Sequence, residues 1–210
     1  MNNSVSNTGR LLWAGLRALL VLTLVTGVIY PLAVTGVAQA LFHNKANGSE
    51  VKADGKVVGS SLIGQQDYGL AYFQLRPAKG LGENSVNTQY KLILSGATNR
   101  SADNPELVTW VKAAKAKVVK DNSTADYKVE PSRVPADAVT SSGSGLDPDI
   151  SPAYAELQVH RVAERNGLSV AQVEKLVEEH TDGRTLGFIG EPRVNVLELN
   201  IALKALAAKS

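Results

Sequence analysis

Apolar residues run along this chain in three rhythms, and each predicts a different kind of element. From Ala18 to Ala38 the sequence ALLVLTLVTGVIYPLAVTGVA carries no charge. A helix of that length spans about 32 Å, the thickness of a bilayer's hydrocarbon core. Residues 57–75, VVGSSLIGQQDYGLAYFQL, mix β-branched and aromatic residues with glycine. They predict two short strands, near Val57–Ile63 and Ala71–Leu75. Residues 78–104 are rich in Gly, Asn, Ser and Thr and read as loop, with a short strand at Lys91–Leu94.

A helical period takes over beyond residue 104. Asn104 is a capping residue, Pro105 suits the first helical position and Glu106 complements the helix dipole. Val108, Val111 and Val118–Val119 then form a partial apolar stripe to about Lys120. A second helix opens at Ser151-Pro152 and stops at Gly167, with Tyr154, Leu157 and Val162 on its apolar face. Ser169-Val-Ala-Gln172 is a capping box that opens a third, with Val173, Leu176 and Val177 in register. Asn195-Val-Leu-Glu198 is a looser version of the same box. Its helix carries Val196, Leu199, Leu203 and Leu206 on one stripe. The pattern predicts an α+β protein: one N-terminal transmembrane helix, then a single mixed soluble domain with a helical C-terminal third. The expected division is 1–10 as a short cytoplasmic N-terminus, 11–40 as the anchor helix and 41–210 as an extracytoplasmic domain.

Charge sharpens this division. Residues 1–42 hold Arg10 and Arg17 and no acid, so the rest of the chain carries equal numbers of basic and acidic groups. A neutral soluble part lacks the clustered positive charge that binds nucleic acid. Trp13 and Tyr30 suit the headgroup level, and Arg17 can snorkel to the interface. Pro31 removes a helix hydrogen bond and should kink or loosen the helix, with Thr26 or Thr35 able to compensate. Ala38-Gln39-Ala40 resembles a signal-peptidase site, but the apolar run is about twice the length of a signal peptide's apolar region, which favours an uncleaved anchor. The lysines after the helix belong to a long domain and weigh little in orientation, so the N-terminus is expected inside and the domain outside. With no cysteine, disulfides, thiol nucleophiles and cysteine zinc sites are excluded.

The stretch TSSGSGLDPDISPAY (140–154) has the composition of a site. A nucleophile elbow needs G-x-S-x-G, whereas glycine stands directly on both sides of Ser144. A calcium loop beginning at Asp147 and Asp149 would meet Ser151 and Pro152 where further ligands belong. No P-loop is present. Glycines that permit positive φ, prolines that fix φ and a capping Ser151 account for the stretch without chemistry. His160, four residues from both Glu156 and Glu164, reads as part of a solvated helix face.

GSSLIGQ (59–65), YFQLRP (72–77), DNPEL (103–107), VPADAVTSSGSGLDPDISP (134–152), QVHRVAERNGLS (158–169) and GEPRVNVLELNIAL (190–203) resemble, in order, the KdpC family. This family is the C subunit of the Kdp potassium-transporting ATPase. The resemblance implies a single-pass subunit of the inner (plasma) membrane. Its implied partners are a channel-like potassium-selecting subunit, a P-type ATPase subunit, a small single-helix subunit and the lipid bilayer. It implies a non-catalytic chain that acts as a catalytic chaperone, raising the ATP affinity of the ATPase subunit. The chain would hold no cofactor of its own; ATP with Mg would bind the ATPase partner. Asp149 stands where the family often has histidine, so no imidazole role transfers. The family's ABC-like signature is reduced here to Leu94-Ser95-Gly96-Ala97-Thr98, which leaves Ser95 and Gly96 as weak nucleotide candidates. Ser142, Gly143, Ser144, Gly145, Leu146 and Asp147 form the family's fingerprint loop, expected to be structural or docking. The alternative from a different class is a membrane-tethered extracytoplasmic enzyme or solute-binding domain.

Overall fold

A computed structural model describes residues 2–65, 68–77 and 95–209, and the chain separates into two compact units, Met1–Glu50 and Val51–Ser210. The strand expected at Lys91–Leu94 lies outside the described residues.

The first unit is a near-continuous helix. Helix α1 (Asn2–Leu24) passes through a π turn at Val25–Ile29 into α2 (Tyr30–Leu41), followed by the single turn α3 (His43–Ala46). Ser6–Leu41 contains an 18-residue stretch of mean hydropathy 2.1 and is long and apolar enough to cross a membrane. The loosening expected at Pro31 takes the form of the π turn. Proline cannot donate, and its ring collides with the carbonyl four residues back. Widening the preceding turn, with the Tyr30 N–H on the Val25 carbonyl, relieves that crowding. The Thr26 hydroxyl donates to the Leu22 carbonyl at 2.7 Å, one turn before the carbonyl that Pro31 leaves without its usual donor.

In the second unit, β1 (Glu50–Ala53) and β2 (Lys56–Ser60) form a two-stranded sheet. Asp54 and Gly55, which join them, both have positive φ, 52° and 75°. Asp-Gly is the pair that this tight hairpin turn requires. Helix α4 spans Pro105–Asn122 and α5 Pro152–Asn166. Helix α6 spans Val170–Glu179 and α7 Val196–Ala207. Strands β3 (Asp149–Ile150), β4 (Thr181–Asp182) and β5 (Arg193–Asn195) make an antiparallel sheet in the order β3-β5-β4. Ile150 and Thr181 both pair with Val194.

Each predicted cap is present. The Asn104 side chain accepts from the Glu106 and Leu107 amides. The Ser151 hydroxyl accepts from the Tyr154 amide, and Asp137 accepts from both the hydroxyl and the amide of Ser151. Ser169 and Gln172 form the reciprocal box. Asn195 accepts from the Glu198 amide at 3.2 Å. Gly167 closes α5 with φ 65°, a conformation costly for any side chain with a Cβ. The core joins Ile150, Val162, Val173, Val194, Val196, Leu199 and Leu203, each almost fully buried.

Residues 71–75 depart from expectation. They are half-buried around Phe73, which has no exposed surface, but they join no sheet. Side chains take the place of neighbouring strands. Asn200 on α7 accepts from the Phe73 N–H at 2.8 Å and donates to its carbonyl at 3.0 Å. Gln158 on α5 does the same for Gln74, at 2.7 and 3.1 Å. Arg161 donates to the Leu70 and Tyr72 carbonyls, and Asn166 to the Ala71 carbonyl. Five consecutive carbonyls, 70–74, are thus bonded by side chains. Asn122, Gln158, Arg161 and Asn200 are the buried polar residues among those described, and all four belong to this network.

Arg161 is 2% exposed. Its Nε donates to Asn122 Oδ1 at 2.8 Å and its Nη2 to Gln158 Oε1 at 2.7 Å. Burial lowers its pKa to about 10, which leaves it charged at neutral pH. Replacing Arg161 with Ala takes a donor from four oxygens, of which Gln158 Oε1 and the Tyr72 carbonyl keep a second one from Gln74. It leaves Asn122 Oδ1 without this partner and a cavity where a large buried side chain stood, and an unsatisfied buried acceptor costs about 1–3 kcal/mol. Urea unfolding of Arg161→Ala should therefore show a loss of about 3–5 kcal/mol from the cavity and the lost hydrogen bonds together. A loss within the range of an ordinary surface substitution would contradict this role.

Candidate functional site

The fingerprint loop lies directly beyond the clamped segment. Arg76 follows Gln74 by two residues and reaches the loop with a forked set of donors. Its Nη1 meets Asp147 Oδ2 at 2.9 Å, its Nε the Thr140 carbonyl at 3.3 Å and its Nη2 the Ser141 carbonyl at 3.3 Å. A planar guanidinium serves three acceptors in this way; an ammonium does not. Asp147 uses its second oxygen to accept from the Asp149 amide, an Asx turn that sets the chain into β3.

Ser142 and Ser144 are turned inward on their own loop. The Ser142 hydroxyl accepts from the Gly145 amide at 2.8 Å, and the Ser144 hydroxyl from the Leu146 amide at 3.1 Å. The two hydroxyls lie 3.2 Å apart. Gly145 is buried with φ 69°, so the glycine is required there. Gly143 is exposed with open space where a Cβ would point.

Ser95 and Gly96, far away in sequence, meet this loop. The Ser95 hydroxyl and the Gly96 amide both donate to the Ser144 carbonyl, at 3.1 and 2.7 Å. Gly64 meets it from a third direction, donating to the Leu146 carbonyl at 2.8 Å. A Cβ at Gly64 would stand 2.7 Å from the Asp147 carbonyl oxygen, so only glycine lets the two backbones approach. The loop is a junction of three chain segments, and the groups on Ser95, Gly96, Ser142 and Ser144 that would serve chemistry are used in closing it.

Asp149 sits beside the junction. Its carboxylate faces Arg193 at 3.2 Å and the Asn195 amide at 3.2 Å. Burial pushes its pKa up, opposed by Arg193 and Asn195 and assisted by Asp147 and Asp182. Asn195 therefore has three tasks: it caps α7, holds Asp149 and donates to the Ser61 carbonyl at 2.9 Å.

His160 is not simply solvated, as its spacing suggested. Its ring stacks on Tyr127 with centroids 3.8 Å apart and planes within 2°. Tyr127, thirty-three positions earlier in the chain, gives no local signal of this. The pair lines an open groove with Glu156, Glu174 and Lys175 that includes no residue of the fingerprint loop.

With this geometry in view, the chain can be placed among known proteins. The family described as "K+-transporting ATPase, c chain" (KdpC) matches residues 12–205. The chain belongs to the KdpC family. It is 76% identical to the "Potassium-transporting ATPase KdpC subunit" of Streptomyces avermitilis over the full length of both chains. A Streptomyces coelicolor relative of the same name is 68% identical, covering 99% of this chain and 98% of its own. The Mycobacterium tuberculosis relative, also so named, is 46% identical over 94% of this chain and 99% of its own. Five of the six segments that carry the KdpC resemblance meet here: 59–65 supplies Gly64, 72–77 supplies Phe73 and Arg76, 134–152 the loop, 158–169 Gln158 and Arg161, and 190–203 Asn195 and Asn200.

The raised pKa of Asp149 makes a signed prediction. A carboxyl that titrates higher in the folded state than in the unfolded one contributes stability below the unfolded value, near about 4. That contribution is lost as pH rises through the folded value. Asn imitates the neutral acid at every pH. The thermal midpoint of Asp149→Asn relative to the parent should thus increase as pH is raised from about 4 to neutrality. A difference that shrinks over this range would contradict the assigned environment.

Proposed function

We propose that this chain is the accessory C subunit of a high-affinity, ATP-driven potassium uptake complex. The match to KdpC across both the apolar helix and the domain behind it is the observation that carries this reading. The helix within Ser6–Leu41 anchors the chain in the cell (plasma) membrane as a single span, with the N-terminus in the cytoplasm and the domain outside. The chain assembles with a channel-like potassium-selecting subunit, a P-type ATPase subunit and a small single-helix subunit. It catalyses no step itself and promotes ATP binding by the ATPase subunit.

On this topology the domain and the nucleotide lie on opposite sides of the bilayer. The effect on ATP is therefore conformational: the chain binds one state of the complex better than another, and the ATPase follows. Nucleotide with Mg belongs to the ATPase partner. The internal use of Ser95 and Gly96 by the Ser144 carbonyl favours a structural role for these two residues. The loop Ser142–Asp147 keeps the extracytoplasmic domain in a shape that docks.

The test uses the full chain co-expressed with the ATPase. It should co-purify stoichiometrically with the P-type subunit, and its omission should lower that subunit's apparent ATP affinity. Because the chain has no cysteine, Ser49→Cys gives a single thiol, which an impermeant maleimide should label in intact cells. A chain that elutes alone while the complex keeps its ATP dependence would refute the accessory role. Protection of Cys at position 49 would refute the topology.

A further inference from the structure

The segment between β4 and β5 takes no part in the junction. There the chain reads RTLGFIGE (184–191) and forms a tight finger. Thr185 and Ile189 exchange both backbone hydrogen bonds, at 2.9 and 3.0 Å, and the Gly187 amide donates to the Arg184 carbonyl. Arg184 and Glu191 close the base with an ion pair at 2.6 Å. The tip is apolar and points outward. Leu186 is 79% exposed, Phe188 71% and Ile189 51%. Leu186 and Phe188 are the most exposed large apolar residues described in the unit Val51–Ser210.

Three features indicate what would cover this tip. First, the finger is shaped before binding. Leu186 is held at φ 55°, with Gly187 at 81° and Gly190 at 80°. A leucine in left-handed backbone is disfavoured, and nothing within the finger buries its side chain in return. Second, the charges beside the tip are already neutralised. Arg184 is paired with Glu191, and Arg193 with Asp149 and Asp182. A loop that inserts into an anionic bilayer relies on basic residues facing phosphates; here both arginines face carboxylates. Third, the patch is small. Three side chains offer a few hundred Å². Even doubled across a two-fold axis this falls short of the roughly 1,200 Å² of a stable interface. A second copy of the chain is thus a poor fit, and an anchor within a larger hetero-interface is a good one.

We propose that the finger Thr185–Gly190 inserts Leu186 and Phe188 into an uncharged, apolar pocket on another polypeptide of the same ATPase. The claim rests on the accessory-subunit reading and adds the surface through which the domain is held. Rigid aromatic and aliphatic anchors seated in pockets carry most of the energy of such contacts.

The experiment places p-benzoylphenylalanine at position 188 of the full chain co-expressed with the ATPase. Alongside it, Phe188→Ala and Leu186→Gly are assayed for retention on a tagged P-type subunit. Irradiation should crosslink the chain to another polypeptide of the complex. Each variant should weaken retention by roughly 30-fold with a thermal midpoint no lower than that of the parent. Leu186→Gly guards against misfolding, because glycine suits the backbone there. Crosslinks only to lipid would assign the finger to the membrane and overturn the proposal. So would crosslinks only to a second copy, or variants retained like the parent. If the unsubstituted chain is itself not retained, the accessory reading falls and the finger proposal with it. If the parent is retained and the variants are too, the finger alone is wrong.

Discussion

A buried guanidinium with no carboxylate partner among the described residues sets the terms for this domain. Moving a charge out of water is costly unless the site returns its hydrogen bonds. Around Arg161 the site does so with neutral oxygens: two backbone carbonyls of the 70–72 segment and the side chains of Asn122 and Gln158. Those four acceptors come from three places in the chain, so the charge is satisfied only when all three are assembled. Asn122 brings the end of α4, Gln158 the middle of α5, and Leu70 and Tyr72 a segment that precedes both helices. An apolar residue at 161 would fill space, but it would not set that segment's register.

The rest follows along the covalent chain. Once Leu70–Gln74 is fixed, Phe73 enters the core and Arg76 is placed to meet Asp147. Asp147 turns the chain into β3, which pairs with β5, and β5 runs straight into α7. Helix α7 returns Asn200 to Phe73 and closes the circuit. A closed circuit of this kind is compatible with the conformational role proposed for the chain.

Local signals in the sequence were legible and long-range ones were not. Asn104, Ser151 and Ser169 announce their helices because a cap and its acceptors lie within three residues. The apolar stripes of α5, α6 and α7 match the buried faces for the same reason. Residues 71–75 read as a strand because their aromatic and aliphatic side chains register burial and not the nature of the partner. Here the partners are amide side chains about 84 and 127 positions away, which no window detects. Strands of two or three residues are too short to leave a period. Asp54-Gly55 carries a local hairpin-turn signal, next to the stronger β-branched run that follows it. The meeting of Ser95 and Gly96 with Ser144 had no local signature. The exposed finger was also hidden, since Leu186, Phe188 and Ile189 look like core residues until their surroundings are known.

Amide hydrogen exchange at Phe73 and Gln74 tests this account most directly. These two N–H groups belong to no sheet and no helix among the described residues, and each donates to the oxygen of a buried side-chain amide. If the Arg161 network organises the domain, both exchange only through global unfolding, as slowly as the amides in the middle of α5 and α7. Exchange at the rate of an open loop, with α5 and α7 still protected, would contradict it: the clamp would then be a consequence of the fold and not what holds it together.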